Sequence, residues 1–329
     1  MRAWVVGPDG DGRLLPVERP APMPGAGEVL VRVSACGVCR TDLHLARHEL
    51  APRLPAVVPG HEVVGTVVGL GAGVTDVGEG DRVGVAWLRS TCGQCRWCRA
   101  GAENLCPRST YTGWDADGGY AELVTAPAAY VYRLPAELDD QTAAPLLCAG
   151  IIGYRALRRA ALPPGGRLGL YGFGASAHLT AQIAVAQGAE VHVLTREAAA
   201  RELALELGAA SASGAYDDPP VPLDSAILFA PVGDLVPVAL RALERGGTLA
   251  VAGIYLSDVP PLDYDAHLFR ERTLTSVTAN TRADGQELLR LAAALRVRPA
   301  VSTYAFDRAD VALADLEAGR VVGVGVLVL

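Results

Sequence analysis

The sequence predicts an α/β protein of two domains, one rich in short β-strands and one built on a doubly wound parallel sheet. Three observations lead there. The chain has 329 residues, enough for two domains at roughly 150 residues each. Its first 150 residues are rich in Val, Gly and Pro, with short alternating segments such as Glu28 to Val33, Val63 to Val68 and Arg82 to Val85. From about Ile151, strand-like segments alternate with Ala/Leu-rich helical ones, the pattern of βαβ units around a parallel sheet.

The elements follow in order. Met1 to Val6 reads as a strand, without the basic stretch and apolar run of a signal peptide. Turns at Gly71-Ala-Gly-Val and Gly78-Glu-Gly-Asp separate the strands of the first stretch, which reads as all-β to about Gly150. In the second stretch, strands are expected at Arg167–Tyr171, Val191–Leu194, Ser225–Phe229 and Thr248–Ala252. Helices are expected at Ala175–Gln187, Arg196–Leu207 and Asp234–Leu243. The third stretch, Thr281 to Leu329, has a helix at about Gly285–Leu295, a second at Arg308–Ala318 and a terminal strand at Val321–Leu329. It is too short to fold alone and is expected to pack back on the first domain. The expected domains are therefore 1–150, with a metal lobe at about 88–110, then 151–280, and a return over 281–329.

Composition excludes several functions. The formal net charge is −7, which argues against nucleic acid or an anionic membrane as partner. No apolar run reaches the roughly 18 residues of a membrane-spanning helix. All 29 basic residues are arginine, so a Schiff-base lysine and a P-loop lysine are both excluded. The seven cysteines are odd in number and clustered. Metal binding in a reducing cytoplasm is expected rather than a disulfide framework.

Tyr171-Gly172-Phe173-Gly174-Ala175-Ser176-Ala177 follows a strand and opens a helix. It fits G-x-G-x-x-G/A. Gly172 permits the tight turn, Gly174 lets backbone approach a pyrophosphate, and the small Ala177 permits helix–strand packing. The pyrophosphate would meet Ala175 and Ser176 at the helix N-terminus, where free N–H groups favour anions. The next strand ends Leu194-Thr195-Arg196 and lacks the acidic residue expected to bind the ribose 2′-hydroxyl of NAD. Thr195 leaves room for a 2′-phosphate that Arg196 could pair with, which favours NADP. Glu197, swinging back to the ribose, is the opposing possibility. Arg196 could also be no more than a surface-helix cap.

Cys92-x2-Cys95-x2-Cys98-x7-Cys106 places four thiolates in 15 residues. Four sulfurs complete a tetrahedral zinc and leave no open position, the structural kind. Arg96 and Arg99 would suit a zinc ribbon on nucleic acid, but the acidic chain does not. A dispersed set, Cys39, His61 and Cys148, would hold a metal and leave one position open. No spacing rule joins these three. Singly, His61 reads as a turn histidine and Cys148 as a small buried hydrophobe.

Together these residues resemble the zinc-dependent alcohol dehydrogenases of the medium-chain dehydrogenase/reductase superfamily, over essentially the whole chain. The motifs that carry the resemblance are Gly37-Val-Cys-Arg-Thr-Asp-x-x-His44, Gly60-His-Glu62, the four-cysteine lobe, the later lone Cys148 and the dinucleotide loop. It implies a GroES-like β domain with an inserted Rossmann domain, and a dry cleft between them. It makes Cys39, His61 and Cys148 the ligands of a catalytic zinc, with Glu62 beside the metal as a transient ligand. Asp42 becomes the carboxylate that orients the zinc-bound imidazole. Thr41 becomes the hydroxyl that receives the substrate proton, which passes through the nicotinamide ribose to His44 and solvent. Arg40 meets the cofactor pyrophosphate, and Trp87 fills a pocket suited to small or slender alcohols. Cys36 is left as packing, and His48, His178, His192 and His267 as structural or solvent-facing. Ile152 stands where some relatives carry a Thr near the nicotinamide, a difference that does not threaten the chemistry.

The implied activity is reversible hydride transfer between a small primary or secondary alcohol and NAD(P), with two zinc ions per chain and a homodimeric or homotetrameric assembly. The alternatives on the same fold are a carbonyl or enal reductase and a polyol dehydrogenase. From a different class, the chain could be a zinc-bearing binding protein without turnover, which the intact Cys39/Thr41/His44/His61/Glu62/Cys148 set argues against.

Overall fold

The computed structural model describes residues 1–329. The chain divides into two compact units. One comprises Met1–Cys148, Ala279–Ala293 and Arg298–Leu329; the other comprises Ala149–Thr278 and Ala294–Val297.

The first unit is organised by the strand Glu28–Val38. Its alternation buries Val29, Val31 and Val33 on one face. From Ala35 to Val38 every residue is buried, because both faces are covered. The strand is the spine of a seven-stranded sheet. Antiparallel Val63–Leu70 lies on one side, followed by Arg82–Val85 and Val131–Arg133. On its other side the strand pairs twice: Glu28–Arg32 with Leu123–Pro127, and Ala35–Val38 with Val324–Val328 near the end of the chain. Val301–Ala305 adds parallel to that last strand.

Three differences from the expected elements have physical causes. The first 150 residues are not all-β, since they hold helices at Arg40–Ala46, Arg96–Arg99 and Asp140–Pro145. The first is closed by Asp42, whose Oδ2 accepts the amide of Cys39 three residues earlier (2.9 Å). The third is capped by Asp139, which accepts the amide of Thr142 (2.7 Å). The terminal strand is shorter than expected, Val324–Val328, and Gly323 enters it at φ +75°. The strand Val301–Ala305 was not anticipated, because its half-exposed side chains carry little hydrophobic alternation.

The second unit is a six-stranded, wholly parallel sheet. Its strand order is Ser211–Ser213, Glu190–Leu194, Arg167–Tyr171, Leu223–Leu228, Leu243–Val251, Thr273–Ser276. Numbered within the unit this is 3-2-1-4-5-6, the doubly wound dinucleotide-binding order, with its reversal at the ends of Arg167–Tyr171 and Leu223–Leu228. The expected helices form at Ala175–Ala186, Ala198–Glu206 and Leu235–Ala242. The second starts two residues later than expected, because Glu197 is its extended N-cap. No helix is long and apolar enough to cross a membrane.

Candidate metal and cofactor site

Cys39 directly follows the buried end of Glu28–Val38 and is the N-cap of the following helix, so strand and helix fix its sulfur between them. His61 and Glu62 sit in a turn just before Val63–Leu70. Gly60 holds that turn at φ +96°, and a Cβ there would lie 2.4 Å from the ring of Tyr120. Gly118, Gly119 and Tyr120 pin the turn through bonds from their amides to the carbonyls of Val58, Gly60 and Pro59. Cys148 lies in one π-helical turn, Leu146–Gly150, between the helices Asp140–Pro145 and Ile151–Arg159. Such a turn re-aims a side chain within a helix and is frequent at functional sites.

These elements bring one donor atom each from Cys39, His61, Glu62 and Cys148 within 4.8 Å of one another. The two sulfurs are 3.9 Å apart, close to the edge, about 3.8 Å, of a tetrahedron with bonds of about 2.3 Å to zinc. Glu62 Oε2 is buried with no partner. It occupies the space that a side chain on Gly37 would fill, since a Cβ at Gly37 would lie 1.7 Å from it. A buried carboxylate oxygen without a partner, facing two thiols and an imidazole, fits a cation.

The four donors perturb one another strongly. The thiol of Cys148 bonds the sulfur of Cys39, which with His61 holds Cys39 well below the ordinary thiol range. The same contact, followed by burial, pushes Cys148 well up. Burial acts to lower the imidazole of His61, but the carboxylate of Asp42 outweighs it and raises the group. Burial, reinforced by the charge on Cys39, raises Glu62.

Asp42 is 1% exposed. Its Oδ1 accepts the amide of Gly60 (3.1 Å) and lies 3.5 Å from His61 Nδ1. Its Oδ2 accepts the amide of Cys39 and the hydroxyl of Tyr120 (3.2 Å). Burial, then the charge on Asp42, pushes the Tyr120 phenol well up, so it stays a donor. The Thr41 hydroxyl is 3.7 Å from Cys39 Sγ. His44 is on the same helix, its side chain 19% exposed, with Nδ1 on the carboxylate of Glu49. Arg40 is exposed at the start of that helix. The indole of Trp87 meets the His61 ring edge-on at 4.9 Å and stacks on Tyr111 and Trp114. Cys36 is fully buried, and His48 bonds the carbonyl of Gly7.

In the lobe, the donor atoms of Cys92, Cys95, Cys98 and Cys106 also lie within 4.8 Å of one another. Sulfur–sulfur distances of 3.5 Å (Cys95–Cys98) and 3.9 Å (Cys92–Cys98) again match a zinc tetrahedron. Backbone amides converge on the sulfurs: those of Cys92 and Arg108 on Cys106, and that of Cys95 on Cys92. Cys92 is lowered to about 5, chiefly by the backbone at Gln94 and by the Arg108 side chain. Such donors favour thiolates, the form that binds metal.

In the second unit, Gly172 stands at φ +85° after the first strand, and Gly174 is the extended N-cap of Ala175–Ala186. Nothing lies within 4 Å of where a Cβ on Gly174 would be, so backbone is open to a ligand there, while Ala177 is fully buried. At the end of the second strand Thr195 is buried and Arg196 exposed. The guanidinium of Arg201 donates to the carbonyls of Thr195 (3.0 Å) and Arg196 (2.7 Å) and braces that loop. His178, His192 and His267 are buried, with Nδ1 on Gly174 O, Ser211 Oγ and Asp263 O respectively.

Sequence reasoning missed Tyr120 and Arg108, and the role of Gly37. The space Gly37 leaves for Glu62, and the Tyr120 hydroxyl on Asp42, depend on contacts between segments far apart in sequence. A Gly-Gly-Tyr run between two strands gives no local sign of either.

Residues 25–136 match the alcohol dehydrogenase GroES-like domain, and residues 175–294 match the zinc-binding dehydrogenase domain. The chain is 58% identical, over 100% of its length and 97% of the relative's, to the "Probable alcohol dehydrogenase AdhA" of Mycobacterium tuberculosis. A cinnamyl alcohol dehydrogenase of Sorghum bicolor superposes with a TM-score of 0.90 at 30% identity, covering 99% of this chain and 96% of that one. Acetophenone reductase of Geotrichum candidum, solved with NAD, gives 0.89 at 28% identity, covering 100% and 97%. With its strand order, its glycine loop and its two donor clusters, the chain belongs to the zinc-dependent alcohol dehydrogenases of the medium-chain dehydrogenase/reductase superfamily.

Proposed function

We propose that the protein catalyses reversible hydride transfer between a small primary or secondary alcohol and NADP, with zinc held by Cys39, His61 and Cys148. The observation that carries this reading is the convergence of those donors with Glu62, next to the Thr41 hydroxyl. A second zinc belongs to Cys92, Cys95, Cys98 and Cys106, where amides already favour thiolates. In this reading the first unit is the catalytic domain and the second the cofactor domain.

Zinc bound at the first cluster supplies Lewis acidity that lets an alcohol lose its proton near neutral pH. Thr41 takes that proton, and His44, whose ring reaches solvent, delivers it to bulk water. Asp42 orients His61. With the metal bound, Glu62 would be the donor able to give up its place to substrate. Trp87, backed by Tyr111 and Trp114, is a flat wall beside His61 that suits a slender alcohol. The same residues serve carbonyl reduction when the reaction runs in reverse, and the likeness to acetophenone reductase supports that direction as the second reading.

Coenzyme choice rests on Thr195 and Arg196, with Arg40 and the loop of Gly172, Gly174, Ala175, Ser176 and Ala177 meeting the pyrophosphate. No carboxylate in Val191–Arg196 could hold a ribose diol or repel a 2′-phosphate. Glu197 is the N-cap of Ala198–Glu206, where its charge already favours the helix N-terminus. A guanidinium–phosphate pair is worth roughly 1–3 kcal/mol, about five- to 150-fold. Absorbance assays over an alcohol panel should therefore give a higher kcat/KM with NADP than with NAD, and Thr195→Asp should shift preference toward NAD. A parent enzyme that prefers NAD overturns the coenzyme assignment alone. No turnover with any alcohol or carbonyl overturns the catalytic reading.

The assembly we propose is a homo-oligomer through the sheet edge at Thr273–Ser276. That strand is terminal and carries the exposed Leu274, and exposed Tyr264 and Phe269 lie just before it in the chain; open apolar edges invite a second strand. Light scattering should give a dimer or tetramer that Leu274→Arg dissociates. A monomeric parent refutes it. The compartment we propose is the reducing cytoplasm, because an odd number of clustered cysteines suits metal binding better than a disulfide framework; disulfides in protein isolated from its native cells would contradict that.

A further inference from the structure

The geometry points to Tyr120 as a positioning residue of the metal centre: its hydroxyl fixes Asp42, and through Asp42 the imidazole of His61. The inference rests on the reading that Cys39, His61 and Cys148 hold a zinc ion, and goes beyond it by one shell.

Asp42 is the point where three segments meet. The amide of Cys39 comes from the end of the spine strand, the amide of Gly60 from the histidine turn, and the phenol from Tyr120. Oδ2 takes two donors and Oδ1 takes one, so the remaining acceptor capacity of the carboxylate is on Oδ1, the oxygen 3.5 Å from His61 Nδ1. A carboxyl group turns about a single bond with a broad, two-fold preference. Without the phenol, only one amide holds each oxygen, and the plane that faces the imidazole is less constrained. Tyr120 is itself held on several sides. It is fully buried, its amide donates to Pro59 O (3.0 Å), its carbonyl accepts the amide of Trp4 (2.8 Å), and its ring packs where a Cβ on Gly60 would be. The hydrogen bond of its hydroxyl goes to Asp42 and not to a residue of the ligand cluster, so it acts on the metal through Asp42.

Partners of a ligating histidine set both ring orientation and metal affinity, and their loss costs roughly 10–100-fold in affinity or activity. Tyr120→Phe keeps the ring and removes one hydroxyl. With the full-length, zinc-loaded protein, pyridine-2,6-dicarboxylate should remove the zinc of the first cluster about tenfold faster from Tyr120→Phe than from the parent. Release from the four-cysteine lobe should be unchanged and serves as the internal control. In cobalt-substituted protein, the visible band of the first cluster should shift in the variant.

A first-cluster release rate within twofold of the parent, with an unshifted cobalt band, overturns the role of Tyr120 and leaves the metal reading intact. A parent that carries zinc only in the lobe overturns both. If Tyr120→Phe does not fold, the parent itself decides by NMR. A Tyr120 hydroxyl proton shifted downfield and slow to exchange upholds the bond to Asp42, and one in fast exchange with solvent refutes the inference.

Discussion

Replacing Cys39 with alanine should abolish alcohol oxidation and leave the chain folded. The side chain provides one of the four clustered donors, and the backbone around it is held independently, by the pairing of Cys36 with Val63 and Leu327 and by the bond from the Cys39 amide to Asp42. Loss of the metal removes several kcal/mol of charge stabilisation at the reacting oxygen, roughly a thousandfold or more in rate. Elemental analysis should fall from two zinc per chain to one. Cys95→Ala should give the opposite division. The loop from Cys92 to Cys106 holds one four-residue α-helix, a single 3-10 turn at Glu103–Leu105 and only Asn104, Glu103 and Cys106 as buried side chains, so its order depends on the metal. Melting should drop by roughly 5–10 °C, with most activity per folded molecule retained. A parent with fewer than two zinc ions, or a Cys39→Ala protein with normal turnover, would refute the division of labour.

Thr41→Ala should be far more damaging than His44→Ala, although the two lie on one turn of helix. The hydroxyl of Thr41 is beside the metal cluster, and removing a positioned proton acceptor there costs roughly 10²–10⁴-fold in kcat. The ring of His44 reaches solvent and touches Glu49 at the rim, so an external base can take its place. His44→Ala should lose about tenfold and regain most of it in imidazole buffer. Steady-state rates at several buffer concentrations test both expectations. Equal losses in the two variants would put the order of the proton path in error.

How much of this was legible in the sequence depends on the range of the interaction that fixes each part. The phosphate loop was readable because its chemistry is local: Gly172, Gly174 and Ala177 act within one turn between a strand and a helix. The four-cysteine lobe was readable for the same reason, with all its ligands inside 15 residues. The other cluster was not readable from spacing, since Cys39 and Cys148 are 109 residues apart; only the resemblance to a known family joined them. The helix that delivers Cys148 was absorbed into an all-β stretch, because Pro145 and the short Ala/Leu run hide its period, although the Asp139 cap was in view. Tyr120 escaped altogether, and Gly37 was in view only as the start of a motif, without the role it plays. Each matters through what another segment places against it, Asp42 in one case and Glu62 in the other, and no window of sequence contains both partners.

The pairing of Ala35–Val38 with Val324–Val328 also orders events on the ribosome. Leu327 is the partner of Cys36, so the sheet that carries Cys39 is incomplete until a segment far later in the chain has been made. The parallel sheet of the second unit, ending at Ser276, has all its strands dozens of residues earlier and can close first. Contacts this distant in sequence are slow to form and leave strand edges open meanwhile. Until Val324–Val328 is made, Ala35–Val38 has no strand partner on that side, whereas Glu28–Arg32 can already pair with Leu123–Pro127.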